Sequence, residues 1–304
     1  MDRLEQSICP IRIRRSAERL GTYQLDVTKR IVLAYAASIG CTENKHLDDA
    51  RPGGIIAPPA FLVSVEWPVF IQPDYLSALG RDAGNAFHHL VHGFQDSVFH
   101  RPIRPGQQLS VSGRIVSAKK TGAGTLIVTH VESRDLSDNG LVGQSWFGSM
   151  YMRTPIESGE FADPPYSDLL ELPAWDGENG DSAGVIETER TTAHIYTECA
   201  RIWNPVHTER AYALGLGLKD IILHGTYSWA RALQLLASHY GLSERNLPFS
   251  RYGARFCGMV IPGDRLVVTA RQYRPGRLQF RIRNDRGETV LDRGIAEFDP
   301  EASW

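Results

Sequence analysis

The 304 residues carry 33 Lys and Arg against 35 Asp and Glu, for a formal net charge of -2, and 42% of them are hydrophobic. That supply of apolar side chains excludes bulk disorder, and the balanced charge excludes a global field that would hold the chain on nucleic acid or an anionic membrane. The length accommodates two domains of about 150 residues or one large domain.

The N-terminal stretch MDRLEQSICPIRIRRS alternates charge with isolated apolar residues and lacks the apolar core of an export signal. No run of about 18 apolar residues follows anywhere, so no membrane span is expected. The final EASW is not a peroxisomal address, and a cytoplasmic protein is expected. Cys9, Cys41, Cys199 and Cys257 lie far apart, with no CxxC pair and no spaced ligand set, which fits a reduced setting with no metal or cofactor.

The first helical signal is VTKRIVLAYAASIG (27–40), with an apolar stripe at helical spacing. A second, PAFLVSVEWPVF (59–70), is interrupted by Pro68. His88, His89 and His92 cluster in NAFHHLVHGFQD, but no HExxH pattern accompanies them, and His92-Gly93 is expected to precede a strand. FHRPIRPGQQLSVSGRIVSAKK (99–120) then reads as an aromatic-led run, a Pro-Gly turn and a strand. TLIVTHVESRDL and LVGQSWFGSMYMR complete an antiparallel meander, with Gly122 to Gly124 as a hairpin turn.

Residues 154–184 combine Pro, Gly, Ser and acids with no Lys or Arg, the composition of a linker. Its apolar beads, Leu169, Leu170, Leu172 and Trp175, predict that it docks against a domain. Beyond it the pattern repeats. TTAHIYTECARIW (191–203) is a short helix with Thr191 or Thr192 as N-cap, GTYSWARALQLLASHY (225–240) a longer one, and RFCGMVIPGDRLVVTARQY repeats the aromatic, Pro-Gly and strand order. The two Pro-Gly turns, at Pro105 and Pro262, are 157 positions apart (262 − 105), as a duplication with a linker requires. The expected organisation is therefore an N-terminal domain over 1–153, a linker over 154–184 and a C-terminal domain over 185–304. Each domain is of α+β class, with a sheet wrapped around a helix.

The stretch most informative about chemistry runs from Tyr196 to Leu233. A short helix leads into Asn204-Pro205-Val206-His207, and 17 residues past His207 (224 − 207) His224-Gly225 opens the long helix. Here the chain resembles the MaoC-like family of R-specific enoyl-CoA hydratases and acyl dehydratases, whose signature is roughly D-x-N-P-[LIV]-H-x-[DE] followed by P-[IL]-L-H-G. The resemblance implies a double hot-dog fold with one active site, acting on an acyl-CoA or acyl-carrier thioester of fatty acid or polyketide type, in a monomer or homodimer. It implies His207 as the base, Asn204 as the group that orients water or holds the loop, and the Gly225 N–H as oxyanion donor at a helix N-terminus. Ile202, Trp203, His224, Tyr227 and Lys219 are the expected substrate-binding residues. Lys119, Lys120 and Arg210 also offer cations for a phosphate.

One departure stands out. The family places an acid two residues before the Asn, where this chain has Ile202, and Ile221 replaces a Pro in the second motif. Glu198 or Asp220 could replace the acid. Alternatively, His207 serves other chemistry on a bulkier substrate, or the site binds an acyl thioester without turning it over. In the first half, Thr42-Glu43-Asn44-Lys45-His46 stands where the second has NPVH, and Ala57-Pro58-Pro59 where it has LHG. Pro59 has no N–H, so the first half is expected to be non-catalytic and to shape the acyl tunnel.

Overall fold

The computed structural model describes residues 10–13, 19–82, 89–172, 175 and 180–301. Cys9 and His88 lie outside these residues. The first half contains strand β1 (Leu20–Asp26), helices α1 (Lys29–Ser38), α2 (Asn44–Leu47), α3 (Leu62–Glu66) and α4 (Pro73–Ala78), then strands β2 (Leu90–Phe99), β3 (Gln108–Thr121), β4 (Gly124–Asp135) and β5 (Leu141–Met152). The short β6 (Phe161–Ala162) follows. The second half contains β7 (Asp181–Glu187), α5 (Thr192–Ala200), α6 (Arg210–Gly215) and α7 (Gly225–His239), then β8 (Arg251–Phe256), β9 (Arg265–Arg274), β10 (Arg277–Asn284) and β11 (Thr289–Glu297).

All the strands join one sheet in the order β1-β3-β4-β5-β2-β8-β11-β10-β9-β7, with β6 on β3. The two halves meet at β2 and β8, which pair antiparallel from Phe94↔Arg255 to Val98↔Arg251. The repeat read from sequence is visible in the backbone. Gly106 and Gly263 close the two Pro-Gly turns at φ +94° and +108°, a region that favours glycine. Ala57 N donates to Ile103 O at 2.8 Å, and Leu223 N donates to Val260 O at 2.8 Å, with Val260 again 157 positions after Ile103 (260 − 103).

One face of the sheet packs on the helices. α7 buries Trp229, Ala230, Leu233 and Leu236, and the buried Tyr252 of β8 donates from its hydroxyl to Trp229 O at 3.0 Å. The counterpart of α7 in the first half is broken. Pro59–Phe61 is a 3-10 turn, α3 lasts five residues, and Trp67–Ile71 is again 3-10, because Pro68 cannot continue the α-helical ladder. α1 and α5 pack together across the halves, with the Tyr35 and Tyr196 rings 6.0 Å apart.

The linker roofs the opposite face. Leu169 is fully buried in a cluster with Phe94, Val116, Trp146 and Ile295, and Leu170 and Leu172 pack against it. Trp175 is buried under the Arg271 and Arg281 guanidinium groups, 4.9 and 4.5 Å from its ring. Ser167 Oγ donates to Asp96 Oδ2 at 2.5 Å, and Trp146 Nε1 donates to Pro165 O at 3.1 Å. The expected docking of the apolar beads is therefore observed.

Two local expectations need correction and a third is refined. β1 and β7 precede the first helix of each half, and β7 starts at Asp181, inside the stretch read as linker. His92-Gly93 lies within β2 instead of preceding it, because the ladder continues to Leu90↔Tyr151 through a bulge between His92 and Phe94. Thr191 is the N-cap residue of α5, as expected, but it makes no side-chain cap bond; Thr192 Oγ1 instead accepts from Glu189 N at 2.8 Å.

Candidate active site

α5 ends at Ala200, and Arg201 turns the chain through the left-handed region at φ 58°. Ile202 is buried and Trp203 is 50% exposed. Asn204 then starts a one-turn 3-10 helix, Pro205–His207, and its Oδ1 accepts from Val206 N at 3.2 Å. Its side chain thus fixes the turn through an Asx-type bond, and Pro205 presets the next φ. The turn delivers His207 to the segment that leads into α7.

His207 Nδ1 lies 2.8 Å from Ile222 O. A carbonyl only accepts, so Nδ1 carries the proton and Nε2 keeps its lone pair. The His207 ring stacks on His224, with centroids 3.6 Å apart. His224 is the residue before α7, and its Nε2 donates to Ile202 O at 3.0 Å. Its Nδ1 is buried without a hydrogen-bond partner among the described residues.

Gly225 opens the 15-residue α7, where Tyr227 N donates to His224 O at 3.1 Å and the helix dipole favours negative charge at the Gly225 and Thr226 N–H groups. A Cβ on Gly225 would sit 2.8 Å from Phe256 Cδ1, so only glycine lets that ring cover the first turn. The Phe256 ring in turn lies 4.5 Å from His92, which stacks on Phe147 at 3.7 Å. Phe256 was legible as the aromatic lead of the second repeat, but nothing in the sequence placed it over Gly225.

The remaining candidates divide. Tyr227 is buried on α7, with its ring 5.5 Å from Tyr196, whereas Lys219 is exposed. Arg210 Nε pairs with Asp220 Oδ1 at 3.2 Å on the surface, and Lys119 and Lys120 lie exposed on β3 in the first half. Glu198 is exposed, while the buried face of α5 is formed by Ala193, Tyr196, Thr197 and Ala200. Glu198 thus lies on the exposed face of α5 and Asp220 is held in a surface ion pair, whereas His207 is half-buried and His224 buried.

Burial sets the charge state. It pushes His207 down to about 4, partly offset by the bond to Ile222 O. Burial and then the neighbouring His207 hold His224 well below the usual histidine value of 6.5, and burial pushes His92 down to about 3. All three rings are neutral at pH 7, so His207 is already in the form that can accept a proton.

These shifts carry a stability prediction. The unfolded histidines take up protons below about pH 6.5 and the folded rings do not, so stability is lost as the pH falls from 6.5 towards 4. Glu66 has the opposite sign. Burial raises its carboxyl to about 8, so its contribution is lost as the pH rises from 4.5 to 8. Three imidazoles outweigh one carboxyl, and the urea midpoint is expected to fall between pH 7 and pH 5. A midpoint that rises on acidification would contradict the neutral state of these rings.

A sheet of this topology, wrapped on a central helix in one half and on its broken counterpart in the other, defines a double hot-dog protein. Residues 17–142 match the family model of the FAS1-like dehydratase domain region, and residues 179–290 match that of the MaoC-like domain. The two halves thus match two different family models, each over less than half of the chain. A fatty acid synthase beta subunit of Monascus ruber is 31% identical over 116 residues, which are 37% of this chain and 6% of that protein. 3-Hydroxyacyl-thioester dehydratase Y of Mycobacterium tuberculosis is 25% identical over 300 residues, covering 89% of this chain and 92% of that one. The crystal structure of a MaoC-like dehydratase from Phytophthora capsici aligns with a TM-score of 0.77 at 21% identity, over 92% of this chain and 96% of that one. The fatty acid synthase subunit is many times longer than the segment this chain spans. Among the described residues no helix is long and apolar enough to cross a membrane.

Proposed function

We propose that the protein adds or removes water at a 2-enoyl or 3-hydroxyacyl thioester, as a hydro-lyase, with His207 as the base. The observation that supports this most is the tautomer. The Ile222 carbonyl holds Nδ1–H, leaving a neutral Nε2 in a ring stacked against the residue that precedes α7. In this reading Nε2 takes the proton from water as the oxygen attacks the β-carbon. The Gly225 N–H meets the thioester oxygen as it gains enolate character, and the His207 imidazolium then returns its proton to the α-carbon, so one water is added and His207 ends neutral. Asn204 acts through the turn that positions His207. Ile202, His224 and Tyr227 line the buried side, and Trp203 and Lys219 stand at the exposed side, where the carrier group would leave the protein. The first half shapes the acyl tunnel and does no chemistry, since Pro59 takes the place of Gly225 and offers no N–H.

Ile202 favours a second reading, because no carboxyl stands where the resemblance places the proton donor for the α-carbon. His207 would then serve other thioester chemistry on a bulkier substrate, or the site would bind an acyl thioester without turnover. Incubation with a panel of 2-enoyl-CoAs, followed by mass analysis, separates the readings. Gain of one water supports hydration, release of free acid supports the alternative chemistry, and unchanged enoyl thioesters contradict hydration.

A further inference from the structure

The first half retains a histidine where the second has His207. His46 Nδ1 lies 2.9 Å from Ile56 O, the same bond that His207 makes to Ile222, and Ile56 precedes Pro59 by three residues just as Ile222 precedes Gly225. The surroundings of His46 have diverged. Its neighbours are Cys41 and Glu43, and one ligand atom from each of Cys41, Glu43 and His46 lies within 4.8 Å of the others. Cys41 and His46 are buried and Glu43 is half-buried; Glu43 and His46 line a cavity together with Lys45, Pro58, Gln234 and Ser243.

We propose that Cys41, Glu43 and His46 form a zinc site, with the fourth coordination position open to this cavity. The donor set is one thiolate, one carboxylate and one imidazole, the ligand types zinc takes in tetrahedral geometry. Two negative charges offset a divalent ion, so the buried site carries no net charge when filled. Sulfur and nitrogen ligands on one tetrahedral zinc are about 3.5 Å apart, so from separations within 4.8 Å the groups need to close by no more than about 1.3 Å.

Each ligand is already held by an outer partner, as metal ligands are. The Ile56 carbonyl takes Nδ1–H of His46 and leaves Nε2 with the lone pair. Gln234 Nε2 donates to Cys41 Sγ at 2.7 Å, from α7 of the other half. Thr42 N donates to Glu43 Oε2 at 3.0 Å. The adjacent Lys45 does not compete for the ligands, since its ammonium is spent on the Ser243 and Arg245 carbonyls. The site would therefore join the two halves through Gln234, and it does not depend on the thioester reading.

Cobalt(II) is the probe, because a thiolate bound to it gives a near-ultraviolet charge-transfer band. Titration of the chelator-treated full-length chain is expected to produce that band with one equivalent of cobalt, and zinc should displace it. Cys41→Ser removes the band, while Cys199→Ser and Cys257→Ser leave it unchanged. Gln234→Leu, which removes only an outer partner, lowers cobalt affinity about 10–100-fold, and His46→Gln, which keeps the thiol, lowers it at least as much. No band with the native chain, a band that survives Cys41→Ser, or His46→Gln binding cobalt as tightly as the native chain would each overturn the proposal.

Discussion

Arg251→Ala is expected to lower the unfolding free energy by about 3–5 kcal/mol, because it strands a carboxylate inside the protein. Asp96 lies on β2 at the junction of the halves and is fully buried. Arg251 lies diagonally across on β8, two residues from Gly253, the register partner of Asp96, and meets it with both arms, Nε to Oδ1 at 3.0 Å and Nη2 to Oδ2 at 2.7 Å. The same guanidinium reaches Asp168 Oδ1 at 2.5 Å, so one side chain ties the first half, the second half and the linker. After truncation Asp96 keeps, among the described residues, only Ser167 Oγ as a side-chain donor. The pair as a whole is worth far less than either half left alone, since desolvation of two ions nearly cancels their attraction. Replacing both residues, Asp96→Leu with Arg251→Met, is therefore expected to cost less than Arg251→Ala. Urea denaturation of the two variants checks this, and a loss below about 1 kcal/mol for Arg251→Ala would show that the pair does not carry the junction.

Ile202→Asp is expected to raise the rate of enoyl hydration by about 10²–10⁴-fold, the usual worth of a positioned proton donor. The backbone already sits at the site, since Ile202 O accepts from His224 Nε2 at 3.0 Å and the side chain is 5% exposed. A carboxyl there would be strongly desolvated, which keeps it protonated to higher pH and fits it to deliver a proton to the α-carbon. The cost is stability, because an aspartyl group replaces apolar contacts in the core. Initial rates with 2-enoyl-CoA, normalised to folded protein by circular dichroism, measure the change. An unchanged rate in a folded variant would mean that the pocket supplies this proton by another route.

The two kinds of information on which this site depends were not equally legible. NPVH and LHG could be read because each is a local device: a proline-fixed turn, an Asx bond from Asn204 to Val206 N, and a helix that opens on glycine. The repeat was readable for the same reason, since the Pro-Gly turns require a positive φ at Gly106 and Gly263. What stayed hidden depends on residues distant in sequence. Phe256 covers Gly225 only because β8 passes the start of α7, and the Cys41 thiol meets Gln234 only because α7 packs against the first half. β1 and β7 escaped notice because they are short and glycine-containing, and they become strands by pairing with β3 and β9. Local propensity was too weak to mark them, and tertiary pairing decided.

The most direct measurement is the hydration rate of one good 2-enoyl-CoA by the native chain and by His207→Ala, side by side at pH 7. Burial keeps His207 neutral there, so the native chain needs no proton loss before it can act as a base. The expected result is water addition by the native chain and a fall of about 10²–10⁴-fold in the variant, with its circular dichroism unchanged. A folded His207→Ala protein that hydrates the thioester at the native rate would contradict the assignment of His207 as the base.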